Sequence, residues 1–241
     1  MTVDRMASAT QDSAPSNSTT QNSATQNSAT PDLANLIRAV DEADSSAKLV
    51  GAVRSLAAAK DPAAIPTLMA ALGYNNPGAA VAAVDGLVAL GEAAVEPMLA
   101  QVDGYNYTAR SWALRALSQI ADPRALELLL AAAETDFAPS VRRAAAQGLG
   151  SLRWARMDPD QIPIARDRIL AVLTINATDL EWVVRYAAIA GLEGLAKAQP
   201  VLVDRVLVVL HERSANDAEL VARLRAQWAI EQLQELDSVA P

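Results

Sequence analysis

The run from Asp122 to Gly150, DPRALELLLAAAETDFAPSVRRAAAQGLG, holds one complete unit of this chain. An aspartate placed directly before a proline opens it, a pairing that caps a helix and suits its first turn. Leu126, Leu129, Leu130 and Ala133 then recur at i, i+3, i+4 and i+7, the apolar stripe of an amphipathic helix. A second stripe follows in Val141, Ala144, Ala145, Gly148, Leu149 and Leu152, and Gly150 falls where that helix should stop. Two such helices with a short turn between them make a helical hairpin.

The hairpin recurs along the chain. Its first stripe returns as Ile65, Leu68, Met69 and Leu72, as Val95, Met98, Leu99 and Val102, and as Val203, Val206, Leu207 and Leu210. Its second returns as Ala109, Trp112, Ala113, Ala116, Leu117 and Ile120, and as Val184, Ala187, Ala188, Gly191, Leu192 and Leu195. The marker residues Leu56, Leu87, Leu117, Leu149 and Leu192 lie 31, 30, 32 and 43 residues apart. A period near thirty predicts an all-α protein, an α-solenoid of about five or six HEAT-like hairpins filling a domain from residue 32 to 241. Asp61-Pro62 repeats the opening punctuation, and Gly73, Gly91 and Gly104 repeat the closing one. The wide spacing marks an insertion, Arg153 to Pro163, containing Asp158-Pro159. Ala and Gly at inward positions let neighbouring helices approach closely.

Composition supports this reading. The chain is 51% hydrophobic, mostly Ala, Leu and Val, with one Phe and four Tyr, which suits helices and poorly suits a sheet core. No apolar run is long enough to span a bilayer. A net charge of −8 argues against nucleic acid, whose phosphates need a basic surface. Cysteine is absent, which excludes disulfides, thiolate metal sites and a cysteine nucleophile in this chain, and weakly fits a cytoplasmic location. With His211 as the sole histidine, no metal site is expected.

Residues 1 to 31 differ from everything after them. They are rich in Ser, Thr, Asn and Gln, and the pentad TQNSA is written twice from Thr20 to Ala29. Such a segment has too little apolar surface to order itself, so a disordered tail is expected. No apolar stretch follows Arg5, so it does not read as a secretory signal.

Arg110, Arg142, Arg185 and Arg223 each lie seven residues before a marker, Leu117, Leu149, Leu192 or Ile230, so stacking turns them into a row. Two readings of the row stand. It pairs with carboxylates of a ligand or partner, or it pairs with acidic caps of the adjoining repeat, for which Asp122, Asp136 and Asp179 are placed. Arg143, beside Arg142 but on another face, is less easily explained by the second reading.

Aromatic and amide residues gather at the same helix ends: Tyr74, Asn75 and Asn76; Tyr105, Asn106 and Tyr107; Phe137; Trp182 and Tyr186. The densest stretch is DGYNYTARSWALRA, Asp103 to Ala116, in a chain that is 4% aromatic. A flat conjugated acid would use such residues, and so would a protein partner. Trp112 lies in an inward column, where it is either packing or a platform. No phosphate loop, nucleophile elbow or Ser-His-Asp set occurs. Asp85, Asp103 and Asp136 are placed either to carry a proton or to cap a helix.

The strings LGYNNPGAAVAAVDGL from Leu72, DGYNYTARSWALRAL from Asp103, the opening run from Asp122, and EWVVRYAAIAGLE from Glu181 resemble the E/F-type phycobilin lyases of cyanobacteria, and within them the F-type subunits. The resemblance spans roughly Leu33 to Leu233. It implies that the chain acts with an E-type partner subunit in phycobilisome assembly, joining phycocyanobilin to a cysteine of apo-phycocyanin α by a thioether. Phycoerythrobilin as substrate, isomerisation of the bilin, and a non-enzymatic scaffold or chaperone for phycobiliprotein subunits remain alternatives. It further implies bilin propionates at Arg110, Arg142, Arg143 or Arg185, pyrrole rings beside Tyr105, Tyr107 or Trp182, and ring nitrogens near Asp103 or Asp136. Tyr74, Asn75, Asn106 and Trp112 complete the binding set. No cofactor of its own is implied, and a chain without cysteine holds a bilin only non-covalently.

Overall fold

The structure, a computed structural model, describes residues 32–101 and 106–239, with side chains described as far as residue 235. Twelve helices occupy the described residues, with no strand among them. They pair as α1 (Leu33–Asp41) with α2 (Ser46–Ala58), α3 (Ile65–Leu72) with α4 (Pro77–Leu90), and α5 (Glu92–Gln101) with α6 (Tyr107–Ile120). Then follow α7 (Leu126–Thr135) with α8 (Pro139–Leu149), α9 (Ile162–Asn176) with α10 (Trp182–Ala198), and α11 (Val203–Asn216) with α12 (Leu220–Val239). Second helices pack in file, α2 on α4 and so on to α10 on α12, while α3 meets α5 and α7 meets α9 in the other layer. This is the α-solenoid of HEAT-like hairpins that the sequence period predicts, with six hairpins among the described residues.

Local chemistry fixes where the helices begin. Asp61-Pro62 and Asp122-Pro123 each open a 3-10 turn, Pro62–Ala64 before α3 and Pro123–Ala125 before α7. The carboxylates accept from Ala63 N–H at 2.8 Å and Arg124 N–H at 3.0 Å. Asn76 and Asn106 cap α4 and α6 by accepting from Ala79 N–H at 3.1 Å and Ala109 N–H at 3.0 Å. Gly91 closes α4 at φ +60°, whereas α6 closes on Ala121 at φ 59° without a glycine. The insertion is shorter than expected, because α9 starts at Ile162 with Pro163 in its first turn, where a missing N–H costs no bond. Its 3-10 turn, Trp154–Arg156, buries Trp154. The expected tail, Val102 and Gly104 lie outside the described residues.

The five marker leucines are fully enclosed, each at 0% exposure, and each burial contributes about 1.5–3 kcal/mol. Close packing between second helices depends on small residues beside them. A Cβ on Gly191 would stand 2.5 Å from the Ala146 carbonyl oxygen, and one on Gly150 would stand 2.4 Å from that of Gly191. The α8 and α10 backbones therefore touch, which sets α6, α8 and α10 edge to edge for the groove described next.

Candidate functional site

The arginine row forms a ladder. Arg110 donates through Nε and Nη2 to Asp136 at 2.6 and 3.1 Å, Arg142 to Asp179 at 2.8 and 2.9 Å, and Arg185 to Asp217 at 2.8 and 2.8 Å. Every pair reaches from the second helix of one hairpin to the turn of the next. Arg142 also gives Nη1 to the Asp136 and Phe137 carbonyls, Arg185 to those of Asp179 and Leu180, and Arg223 to those of Asp217 and Ala218. The same aspartates cap their own turns, accepting from the N–H of Ala138, Glu181 and Glu219.

Charge follows this geometry. Burial pushes the Asp179 and Asp217 carboxyls upward, but the arginine forks and the turn N–H groups outweigh it and hold both below the usual carboxylate range. Those bonds in turn raise Arg142 and Arg185 above the ordinary guanidinium value against the opposing effect of burial. Asp122 does not join the row, since its carboxylate holds Arg124 of its own hairpin at 2.9 Å. Arg110, Arg142 and Arg185 thus follow the second of the two readings of the row, and Asp136 follows the capping reading. The arginines face turn aspartates, and both Asp136 oxygens are engaged.

One residue past the row the helices face a groove of about 1030 Å³ across α6, α8, α10 and the start of α12. Ser111, Arg143 and Tyr186 hold that register, and Arg115 and Gln147 follow four residues later on α6 and α8. Tyr107 and Trp182, the first residues of α6 and α10, stand at 50% and 43% exposure among its lining residues. Trp112 is half-buried, packs against the core and still lines the groove, so it is both wall and platform. The Arg115 Cζ lies 5.5 Å from its ring centroid, and Tyr107 meets Phe137 edge-on at 6.1 Å. Among the described lining residues there are two arginines and neither Asp nor Glu. In a chain of net charge −8 this groove is locally positive, walled by π-faces and edged by hydroxyls and two amides, Gln119 and Gln147. It suits a planar, conjugated, acidic molecule.

Of the expected site residues, Tyr107, Trp112, Arg143 and Trp182 meet in this groove. Asp103 and Tyr105 lie outside the described residues. Tyr74 packs against the core, Asn75 is exposed in the α3–α4 turn, and Asn106 is a helix cap. Arg115, Ser111 and Gln147 were not legible as candidates, and Tyr186 was legible only as an aromatic. The signal that finds them is register, one and five places past the row. Among the described residues no three His, Asp or Glu side chains gather as metal ligands, and no helix is long and apolar enough to cross a membrane.

Comparison with known proteins adds to the geometry. The chain matches the family model of HEAT repeats over residues 95–193 and that of the PBS lyase HEAT-like repeat over residues 49–74. It is 52% identical over 203 residues to the phycocyanin alpha phycocyanobilin lyase CpcF of Synechocystis sp., covering 84% of this chain and 95% of that protein. It is likewise 52% identical over 190 residues to the phycocyanobilin lyase subunit beta of Nostoc sp., covering 79% and 94%. Among solved structures it is similar to the complex of CpcE and CpcF of phycocyanin lyase from Nostoc sp., with a TM-score of 0.67 and 51% identity, covering 70% of this chain and 99% of that chain.

Proposed function

The chain belongs to the family of phycocyanobilin lyase beta subunits built on HEAT-like repeats, and from that premise we propose that it is one half of a heterodimeric bilin lyase. With an E-type partner subunit it joins phycocyanobilin to a cysteine of the phycocyanin α subunit by a thioether, in the cytoplasm, as phycobilisomes are assembled. The observation that carries this reading is the groove, which is aromatic, positive and acid-free among its described lining residues. Arg143 and Arg115 are the cations for the bilin propionates, and Tyr107, Trp112, Trp182 and Tyr186 flank the pyrrole planes.

The reaction asks little covalent chemistry of such a groove. The sulfur of the acceptor thiolate bonds to one carbon of the ethylidene group, and a proton is delivered to the conjugated system. No oxidant is needed, and no atom of this chain enters the product. The chain has no cysteine, so it holds the bilin without bonding to it. Holding an extended tetrapyrrole by its acids and faces removes the orientational part of the barrier.

Co-expression of this chain, the E-type subunit, apo-phycocyanin α and phycocyanobilin tests the proposal. A covalent, zinc-fluorescent α-subunit band that depends on this chain is expected. An equally strong band without it overturns the lyase role and leaves a scaffold. Supplying phycoerythrobilin in a parallel culture, and reading product absorption, decides whether that bilin is accepted or isomerised.

A further inference from the structure

Neither the ladder nor the groove described so far accounts for Arg225. It sits two places past the arginine row, the register that Trp112, Ala144 and Ala187 hold in the groove wall. Its side chain is 9% exposed. Nη2 donates to Glu193 Oε2 at 2.6 Å, while Glu193 Oε1 accepts from Lys197 Nζ at 2.5 Å. One carboxylate, itself 6% exposed, thus serves two cations. The Arg225 Nη1 is enclosed and meets no acceptor. Two rings cover the guanidinium, with Cζ 4.7 Å from the Trp228 centroid and 5.9 Å from that of Tyr186. Trp228 is 51% exposed, and Tyr186 lines the groove.

The ladder shows what is unusual here. Arg142 and Arg185 each place three guanidinium nitrogens on acceptors. A guanidinium N–H stripped of water and given no oxygen is a standing cost, which cation–π attraction offsets only in part. The excess positive charge and the spare N–H call for one more anionic oxygen. We propose that Arg225, Tyr186 and Trp228 form a carboxylate-accepting subsite at the α12 end of the groove, with the Trp228 ring covering it until the carboxylate arrives. Rotation of that half-exposed ring uncovers Nη1 without disturbing the Glu193 bond. The incoming acid then meets a guanidinium already fixed in place, so little ordering cost remains. Because Tyr186 joins subsite to groove, the carboxylate belongs either to a planar ligand lying in the groove or to an acidic side chain of a protein docked over it. Only the first source rests on the bilin reading of the groove.

The test uses the complex with the E-type subunit, in its native form and carrying Arg225→Gln or Arg225→Lys. Three probes are titrated: phycocyanobilin, its dimethyl ester, and apo-phycocyanin α. Arg225→Gln leaves Glu193 paired with Lys197, and thermal melts check that each variant is folded. A bilin source is expected to show as about tenfold weaker binding of the free acid in Arg225→Gln, with the ester unchanged within about twofold and only part of the loss recovered in Arg225→Lys. A protein source shows as the same loss for apo-phycocyanin α with both bilin forms unmoved. If the native complex binds neither bilin form while Arg225→Gln still weakens apo-phycocyanin α, the bilin reading fails and the subsite stands. Equal losses for all three probes, which a packing role would give, or no loss in any, overturn the subsite.

Discussion

Adjacent arginines on α8 should fail in opposite ways. Arg142→Met removes the fork that holds Asp179 and leaves that carboxylate with the Glu181 N–H as its described donor. It also strands the Asp136 and Phe137 carbonyls. Removing one partner of a buried pair costs about 3–5 kcal/mol, and with the side chains still 16% and 12% exposed the lower end, about 3 kcal/mol, is expected. Adding Asp179→Asn withdraws the stranded charge while keeping an oxygen for the Glu181 N–H, and should return about 1–2 kcal/mol. Arg143→Met, on an exposed residue lining the groove, should cost no more than about 0.5 kcal/mol yet sharply lower bilin transfer. Urea unfolding followed by circular dichroism, with transfer yield measured on the same preparations, separates the two. Because each repeat contacts its neighbours alone, a broadened or two-step transition in Arg142→Met is part of the expectation. The ladder reading is refuted if Arg142→Met costs under about 0.5 kcal/mol, or if Arg143→Met destabilises as much.

Acid should loosen the same ladder. Asp179 and Asp217 of the ladder, and Asp122 outside it, have carboxyls lowered by folding, so their contribution is complete above the unfolded aspartate value and drains as pH falls through the lowered ones. Stability measured against pH should begin to decline near about pH 5 and fall further below about pH 4, more shallowly in Arg142→Met. Gly191→Ala drives a Cβ to 2.5 Å from the Ala146 carbonyl oxygen, so α8 and α10 must part, and thermal melts should show a loss of about 3 kcal/mol. Tyr107→Ala and Trp182→Ala remove half-exposed rings from the groove. Each should leave stability within about 0.5 kcal/mol and weaken bilin binding by roughly threefold to tenfold in a fluorescence titration.

The hairpins were legible because burial of one helix face writes a 3.6-residue stripe, and stacking writes it again every thirty or so residues. Leu56, Leu87, Leu117, Leu149 and Leu192 carry that signal, and all are enclosed. The arginines were legible as a row and, in one of its two readings, as partners of turn acids such as Asp136 and Asp179, but not pair by pair. Their aspartates lie 26, 37 and 32 residues away, distances that vary with the turn and with the insertion, so only the fold brings each pair together. Asp217 stood outside the candidate acids for that reason. Arg115 was hidden differently: its register holds Gln147, Ala190 and Trp228 in the next three hairpins, so no shared residue type marks the column.

That contrast says where a ligand site belongs in a repeat protein. A contact between neighbouring repeats has the same geometry each time, so one residue type can serve it repeatedly, as arginine does at positions 110, 142 and 185. A single asymmetric ligand lying across several repeats meets each of them at a different point of its structure, and no one residue type suits all of those points. The register one place past the row reads Ser111, Arg143, Tyr186 and Leu224, and the register five places past it reads Arg115, Gln147, Ala190 and Trp228. In these two registers the cations, Arg115 and Arg143, stand at the α6–α8 end, and the enclosed Arg225 stands apart from them at the α12 end. A ligand whose two ends differ in acids and apolar faces meets unlike surroundings at the two ends of the groove and is fixed in one direction by that difference. One carbon of the bilin can then be presented to the acceptor thiol while its other double bonds are kept away.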